Sequence, residues 1–216
     1  MREPRYPAVL FDLDGTLTDP FVGIVRSVAY ALERVGHAFP GEEALRAWVG
    51  PPLQASFRAY LGDPALAARA VAAYRERYGS VGMYENTPYP GIAGLLGALR
   101  SAGTRLFVAT SKLRGPAEGI LAHFGLADFF EAVSAPEPGE GAHKAEVIAA
   151  LLPRLGAHRA HAVMVGDTVY DVEGARANEL PCIAVGYGFG THESLEQARP
   201  LAIAHSVEEL WPMLLA

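Results

Sequence analysis

The stretch VLFDLDGT, residues 9–16, decides the fold of this chain. A short apolar run, Ala8 to Phe11, ends in two aspartates two residues apart, Asp12 and Asp14, and a glycine follows them. Such a run is typical of a parallel strand that is buried on both faces. In open α/β sheets, ligands bind beyond the carboxyl ends of such strands. Both acids are therefore expected at a site of chemistry.

The spacing of the two aspartates also bears on their role. Side chains at positions i and i+2 point the same way while strand geometry lasts. Two close carboxylates repel each other, which favours either a bound cation or one protonated acid. The alternative is that Asp12 and Asp14 only cap a turn before the next helix. A buried strand rarely ends in two unpaired acids without compensation, so a site is the favoured interpretation.

Three known ion-binding or phosphate-binding loops are excluded. A calcium loop that starts at Asp12 needs glycine at its sixth position and glutamate at its twelfth, where the chain has Leu17 and Gly23. A Walker A phosphate loop is absent from the sequence. The segment GYGFG, residues 186–190, follows a strand pattern, but the last glycine of a GxGxxG fingerprint falls on Thr191. We interpret residues 186–190 as a turn.

Short apolar runs recur along the chain and alternate with helical patterns. Besides the first run they lie at Leu106 to Ala109, Ala162 to Val165, Cys182 to Val185 and Leu201 to Ala204, with a weaker candidate at Phe129 to Val133. The helical patterns lie at Ile92 to Ser101, Pro116 to Phe124, Lys144 to Leu152, Asp171 to Asn178 and Val207 to Leu214. Strands that alternate with helices predict an α/β fold, a doubly wound parallel sheet of Rossmann-like type.

The stretch from Pro20 to Tyr84 breaks that alternation. It holds helical segments without a convincing strand, around Phe21–Val35, Glu42–Val49, Leu53–Tyr60 and Pro64–Tyr78. Asp63 is expected to cap the last of these helices, with Pro64 in its first turn. The pattern predicts a small all-helical domain inserted after the first strand. The expected boundaries are 1–18 with 86–216 for the core and 19–85 for the insertion.

Composition restricts the partners. The chain has 216 residues, 50% of them hydrophobic and 19% charged, and its net charge is −6. This charge argues against a nucleic acid or an anionic membrane as the main partner. The one cysteine, Cys182, cannot form an internal disulfide or supply a multi-cysteine zinc site. No apolar run approaches about 18 residues, and no signal-peptide core follows the first residues, so a cytoplasmic protein is expected.

Polar groups follow two of the later elements. The strand pattern 106–109 ends in Thr110, Ser111 and Lys112. Hydroxyls and backbone N–H groups at a strand–helix junction suit a phosphate, although a plain helix cap is an alternative. Lys144 opens a helical pattern, where a cation is unfavourable. It therefore needs an anionic partner, unless it is simply solvated.

The strand pattern 162–165 ends in Gly166 and Asp167, which repeats the arrangement at Asp12. Asp171 follows four residues later, where it can face Asp167 across the first helical turn or cap that helix. Hard cations take oxygen ligands, and Mg²⁺ usually binds a few carboxylates together with substrate phosphate. The acids, hydroxyls and lysine near the strand ends together indicate a site for Mg²⁺ and a phosphate.

In this order, FDLDGTLTDP, VATSK, Lys144 and VGDTVYDVEGA resemble the four motifs of the haloacid dehalogenase (HAD) superfamily of phosphohydrolases. The strings WVGPPL, PYPGI and PCIAVGYGFGTHESL are similar to its phosphoglycolate phosphatase-like branch, which has a helical cap. The resemblance spans nearly the whole chain. Thr110-Ser111-Lys112 departs from the Thr-Asn-Lys of close relatives, which leaves the hydroxyl role of Thr110 intact.

The resemblance implies roles for the acids. Asp12 is the expected nucleophile, which forms an aspartyl-phosphate, and Asp14 is the expected general acid and then base. Mg²⁺ is expected on Asp12, on the backbone carbonyl of Asp14 and on Asp167. Asp171 is expected to orient Mg²⁺-bound waters or Lys144.

The resemblance also implies binding residues. Thr110, the Ser111 backbone and Lys144 are expected to bind the transferring phosphate oxygens. The insertion is expected to act as a cap that closes over the substrate. Within it, relatives place a specificity loop where this chain has Arg46 and Gly50-Pro51-Pro52.

The function expected from these features is Mg²⁺-dependent hydrolysis of a small phosphate monoester, with 2-phosphoglycolate as the first substrate to test. A sugar-phosphate mutase or a nucleotide or pyrophosphate phosphatase remains an alternative on the same scaffold. A receiver-like phosphoacceptor module is an alternative of another class, although it lacks a helical insertion after its first strand. The expected partner is the small-molecule substrate, and the expected state is a monomer or homodimer.

Overall fold

The computed structural model describes residues 3–49, 53–138 and 143–216. The chain divides into two compact units. One unit comprises Met1–Thr18 with Pro88–Ala216, and the other comprises Asp19–Thr87. The assignment of the insertion as a cap domain stays a prediction.

The first unit is built on a six-stranded parallel sheet. The strands of the chain are β1 (Ala8–Phe11), β2 (Thr18–Asp19), β3 (Thr87–Pro88), β4 (Arg105–Ala109), β5 (Ala132–Ser134), β6 (Ala162–Gly166), β7 (Cys182–Val185) and β8 (Ala202–Ala204). The order in the main sheet is β5-β4-β1-β6-β7-β8, and β2 pairs with β3 in a separate ribbon. Helices separate successive strands of the main sheet, so the predicted α/β class with a doubly wound parallel sheet is confirmed.

The register of the central strands determines where a ligand can bind. Phe11 at the end of β1 lies beside Val108 of β4 and Val165 of β6. The three strands therefore end at the same level. The chain builds the sheet outward from β1 through β4 to β5, and then on the other side from β6 to β8. This reversal is the switch point at which open α/β sheets bind ligands.

Most helices of the described residues follow the predicted segments. No helix was predicted at His192–Ala198, and the segment Glu42–Val49 is an α-helix only to Leu45, with a 3₁₀ turn after it. They are α1 (Phe21–Arg34), α2 (Glu42–Leu45), α3 (Leu53–Leu61), α4 (Pro64–Ser80), α5 (Ile92–Ser101), α6 (Arg114–His123), α7 (Lys144–Ala149), α8 (Leu152–Leu155), α9 (Val169–Ala177), α10 (His192–Ala198) and α11 (Val207–Leu214). The prediction of one helix from Lys144 to Leu152 is wrong, because α7 ends at Ala149 and α8 begins at Leu152. Pro153 in the first turn of α8 has no N–H to continue the hydrogen-bond ladder of α7.

Apolar burial holds the first unit together. Leu10, Phe107 and Met164, from three adjacent strands, are fully buried in one core cluster. Val147 and Ile148 of α7 pack into the same cluster. Burial of such side chains contributes about 1.5–3 kcal/mol each. The helix that begins with Lys144 is therefore fixed firmly to the sheet.

The second unit consists of α1 to α4 and short 3₁₀ turns. Asp63 caps α4, since its Oδ1 accepts hydrogen bonds from the N–H groups of Ala65 at 2.7 Å and Leu66 at 3.2 Å. Such a cap contributes about 1 kcal/mol. Phe57 is fully buried and packs edge-on against Trp48, with the ring centroids 5.1 Å apart. Across the described ranges, no helix combines the length and the apolar character needed to cross a membrane.

Candidate active site

Asp12 follows the last residue of β1, and both its backbone and its side chain make polar contacts. Its N–H donates to the Val165 carbonyl at 2.9 Å, which continues the pairing with β6. Its Oδ1 accepts the Leu13 N–H at 2.8 Å and lies 2.8 Å from Lys144 Nζ. The residue is 8% exposed. A carboxylate is thus fixed at the switch point of the sheet, beside a buried cation.

Lys144, the first residue of α7, is buried among anionic and carbonyl oxygens. Besides Asp12, its Nζ lies 2.8 Å from Asp171 Oδ1 and donates to the Ala109 carbonyl at 3.1 Å. Burial opposes the charged ammonium, but the negative charges of Asp12 and Asp171 outweigh it and raise the pKa of Lys144. A cation at a helix N-terminus needs anionic partners, and Lys144 finds them in Asp12 and Asp171.

Asp167 lies directly after the last hydrogen-bonded residues of β6 and is 1% exposed. Its Oδ1 accepts the Thr16 hydroxyl at 3.2 Å, and its Oδ2 accepts the Phe189 N–H at 2.9 Å. Gly15 has φ +81°, and a Cβ at that position would collide with Asp167 Oδ2. Glycine is required there for both reasons.

Asp171, in the first turn of α9, has two tasks. Its Oδ2 accepts the Thr168 N–H at 3.0 Å and the Thr168 hydroxyl at 2.8 Å, which caps the helix. Its Oδ1 faces Lys144. Asp171 therefore caps α9 and also contacts Lys144, while its expected role in orienting Lys144 or the waters of a cation stays a prediction.

The acids Asp12, Asp167 and Asp171 form a cluster that fits Mg²⁺. Each offers one carboxylate oxygen, and these oxygens lie within 4.8 Å of one another. Three carboxylates against the ammonium of Lys144 leave two negative charges in a buried site. Oxygen donors and this charge suit a divalent hard cation. The side chain of Asp14 lies outside the cluster, so this residue would reach a cation only through its expected backbone carbonyl.

Burial is the main influence on the pKa values of the acids in the cluster. Burial raises the pKa of Asp12 to about 6, against the lowering effect of Lys144. Burial and the charges of Asp171 and Asp12 raise the pKa of Asp167 well above its ordinary value. In the metal-free protein, ionisation of these acids therefore opposes folding. A bound divalent cation would offset that effect.

A pH dependence of Mg²⁺ binding follows. Below pH 6 the cation has to displace a proton from Asp12, so we expect the Kd for Mg²⁺ to rise at least about tenfold between pH 7 and pH 5. Calorimetric titration in two buffers of different ionisation enthalpy measures both the affinity and the protons released.

The stability of the metal-free protein has the opposite dependence. An acid whose pKa is raised from 3.8 to about 6 on folding contributes stability at low pH that is lost as the pH rises through 6.

An Mg²⁺ affinity that is the same at pH 5 and pH 7 would contradict the assignment of Asp12 as a ligand.

The predicted acid Asp14 lies two residues after Asp12, and the predicted phosphate-binding residues Thr110 and Ser111 follow Ala109, whose carbonyl accepts a hydrogen bond from Lys144. Asp14 Oδ2 accepts a hydrogen bond from Lys112 Nζ, and Asp14 Oδ1 is buried without a hydrogen-bond partner in the described part of the chain. Thr110 is buried, and its hydroxyl accepts the Lys112 N–H at 3.2 Å. Ser111, beside it, is exposed. The sequence leaves Lys112 open between a substrate contact and a surface lysine, and in the structure its side chain is largely buried and bonded to Asp14.

A model of the haloacid dehalogenase-like hydrolase family matches residues 9–185. The chain belongs to this family. It is 46% identical over 198 residues to a 5′-nucleotidase of Pseudomonas aeruginosa, a match that covers 91% of the chain and 90% of that protein. It is 34% identical to a phosphoglycolate phosphatase of Rhodospirillum rubrum, over 84% of the chain and 80% of that protein.

Two further similarities extend the comparison. The tyrosine-protein kinase PtkA of Mycobacterium tuberculosis is 39% identical, over 94% of the chain and 70% of that protein. The solved structure of a haloacid dehalogenase-like family hydrolase from Streptococcus pneumoniae has a TM-score of 0.91 at 32% identity, over 97% of this chain and 98% of that one. The predicted superfamily and enzyme class, a HAD-type phosphoric monoester hydrolase, are confirmed.

The expected specificity residues of this HAD-family chain are only partly described. Arg46 lies in a 3₁₀ turn, with its guanidinium 4.9 Å from the centre of the Phe21 ring and 3.5 Å from Glu43 Oε2. Gly50 and Pro51, together with Pro52, lie outside the described residues. The contribution of these residues to specificity stays a prediction.

The sequence interpretation of residues 186–190 as a turn missed their relation to the HAD site. This loop follows β7, and a Cβ on Gly188 would collide with both Asp167 and the Gly15 carbonyl. The loop backbone therefore packs directly on Asp167 and supplies the Phe189 N–H to it. The signal available in the sequence was three glycines at alternate positions, immediately after the strand next to β6.

Proposed function

We propose that this chain is a Mg²⁺-dependent phosphatase that hydrolyses small phosphate monoesters through a phosphoaspartate at Asp12. The observation that carries the proposal is the buried Asp12 carboxylate at the switch point of the sheet. It is paired with Lys144 and lies in a cluster of acids whose charge suits one divalent cation. Family membership supports the same reaction class.

In the first step the Asp12 carboxylate attacks the phosphorus. The bond from phosphorus to the alcohol oxygen breaks, and Asp14 gives that oxygen a proton, so a neutral alcohol leaves. Lys112 holds the Asp14 side chain in place for this transfer. Asp12, Asp167 and the Asp14 carbonyl would hold Mg²⁺, whose positive charge would offset the repulsion between nucleophile and phosphate.

In the second step water hydrolyses the phosphoaspartate. Asp14, now ionised, takes a proton from the water as the water oxygen bonds to phosphorus. The acyl phosphate bond breaks, which returns the Asp12 carboxylate and releases inorganic phosphate. The split into two displacements replaces one difficult reaction by two easier ones.

Charge stabilisation by the chain accompanies both steps. We assign the Thr110 hydroxyl, the Ser111 N–H and the Lys144 ammonium to the phosphate oxygens. Groups fixed in advance around a developing charge usually supply the largest catalytic contribution. Burial of Thr110 and Lys144 supports this assignment, because fixed groups need no reorganisation.

We assign substrate choice to the inserted unit, Asp19–Thr87, as a cap. A helical insertion directly after the strand that carries the nucleophile is the feature that supports it. Arg46 is our candidate for a contact with the leaving group of the substrate, and residues 50–52 are further candidates for substrate specificity.

Two substrates are proposed, in order. A nucleoside 5′-monophosphate comes first, since the relative with 46% identity over nearly the whole chain is a 5′-nucleotidase. The initial expectation, 2-phosphoglycolate, comes second, with support from a relative at 34% identity. Both are small monoesters that the proposed chemistry can cleave.

A panel of phosphate monoesters with Mg²⁺ tests the proposal. We expect at least one nucleoside monophosphate to exceed a chromogenic aryl phosphate in kcat/KM by about tenfold or more, which corresponds to about 1.4 kcal/mol of specific recognition. Phosphate release with no acceptor present separates a phosphatase from a mutase or a kinase. If no ester exceeds the aryl phosphate, the substrate proposal fails; if no ester is hydrolysed at all, the reaction proposal fails.

A further inference from the structure

Tyr187, in the middle of the GYGFG loop, is hydrogen-bonded to the segment that follows Asp12 and Asp14. Its hydroxyl donates to the Thr16 carbonyl at 3.1 Å, and its ring packs edge-on against Tyr89 with the centroids 4.7 Å apart. Burial raises the pKa of the Tyr187 phenol above its ordinary value, so the hydroxyl stays a donor. The ring and the hydroxyl thus make separate contacts, which can be removed separately.

Thr16 connects Tyr187 to the acid cluster. It is fully buried in the tight loop after β1, where the Gly15 N–H donates to the Thr18 carbonyl at 2.8 Å. Its carbonyl is held by Tyr187, while its hydroxyl donates to Asp167 Oδ1 at 3.2 Å. Thr16 therefore links the 186–190 loop to Asp167 Oδ1.

The same loop holds the other oxygen of Asp167 directly. The Phe189 N–H donates to Asp167 Oδ2 at 2.9 Å. The loop therefore holds both carboxylate oxygens of Asp167. Tyr187 acts on Oδ1 indirectly, through Thr16, and the Phe189 N–H binds Oδ2 directly. Partners of this kind set the orientation of a metal ligand, and their loss typically lowers metal affinity about 10–100-fold.

We propose that Tyr187 is a positioning residue for the metal ligand Asp167 and acts through Thr16. This inference rests on the proposed function, in which Asp167 holds Mg²⁺. The Tyr187 hydroxyl fixes the Thr16 backbone so that the Thr16 hydroxyl keeps Asp167 Oδ1 in a binding orientation.

Titration of the full chain with MgCl₂ by calorimetry tests the inference without turnover. We expect Y187F to raise the Kd for Mg²⁺ about tenfold, and T16V to raise it by at least as much. The double variant should be no weaker than T16V alone, because Tyr187 acts through Thr16. T16S, which keeps the hydroxyl, should bind Mg²⁺ within about twofold of the wild type. At saturating Mg²⁺, Y187F should keep kcat within about twofold of the wild type.

Y60F is the matched control. It also removes a tyrosine hydroxyl that donates to a backbone carbonyl, that of Ala38 at 3.0 Å, but in the other unit of the chain. Its Mg²⁺ affinity should equal that of the wild type. A general loss of stability from a deleted hydroxyl would appear in both variants, whereas a positioning effect appears only in Y187F.

Several results would overturn the inference. An unchanged Kd in Y187F, an unchanged Kd in T16V, or additive effects in the double variant would each do so. Even if Y187F does not fold, an unchanged Kd in T16V overturns the inference, because Tyr187 acts through Thr16. A wild type that binds Mg²⁺ but hydrolyses no ester overturns the proposed function alone, since the affinity comparison does not need turnover.

Discussion

Asp12→Asn is expected to lower kcat more than about 10⁴-fold on the best ester of the panel, because an amide oxygen cannot form the acyl phosphate. The loss should not come from unfolding. Burial raises the pKa of Asp12, so its charge opposes folding of the metal-free protein, and removal of that charge should leave the melting temperature at pH 7 equal or higher.

Asp128→Asn is the control for this substitution. It makes the same change at an exposed acid of the same unit, and its kcat should equal that of the wild type. Steady-state kinetics and thermal unfolding of the three proteins give the comparison. Asp12→Asn with near wild-type kcat would show that Asp12 is not the nucleophile, whatever its melting temperature.

Lys144→Met is expected to affect stability and turnover together. Two buried carboxylates, those of Asp12 and Asp171, lose the cation that lies 2.8 Å from each. Removal of one partner from a buried ionic group costs about 3–5 kcal/mol of unfolding free energy. We also expect kcat to fall more than about 10³-fold, since a fixed charge on the transferring phosphate is lost.

The pH dependence of the unfolding free energy of Lys144→Met distinguishes loss of charge compensation from a simple packing defect. At pH 5 Asp12 is protonated, so part of the lost stability of Lys144→Met should return. Arg159→Met, which breaks an exposed ion pair with Glu179 at 3.3 Å, should change stability by no more than about 0.5 kcal/mol at either pH. Urea unfolding at pH 5 and pH 7 gives these values. Wild-type stability of Lys144→Met at pH 7 would contradict the charge balance described for the cluster.

Much of the fold could be predicted because its signals are local. Each apolar run became a strand, and the end of β1 at Phe11, just before Asp12, followed from a change from apolar to acidic residues. The convergence of Asp12, Lys144 and Asp167 was also predictable, because parallel strands and the helices that follow them meet at one edge of the sheet. The split between α7 and α8 was missed, although Pro153 was the local signal for it.

The remaining features depend on tertiary contacts that no local pattern encodes. Lys112 resembles any surface lysine until the loop after β4 directs it to Asp14. In the sequence, residues 186–190 indicate only a turn. Their contact with Asp167 arises because β7 pairs with β6 in the folded sheet. The contact of Asp171 with Lys144 was expected only from the family resemblance, because it depends on the positions of two helices.

Chemical quench during turnover tests the central claim, that Asp12 carries the phosphoryl group, most directly. The enzyme is mixed with its best ester and Mg²⁺, quenched in acid within milliseconds, digested and examined by mass spectrometry. We predict a hydroxylamine-labile phosphoryl group on the peptide that contains Asp12, formed before free phosphate and absent from Asp12→Asn. Rapid turnover with no phosphorylated Asp12 at any time, or with the phosphoryl group on another residue, would contradict it.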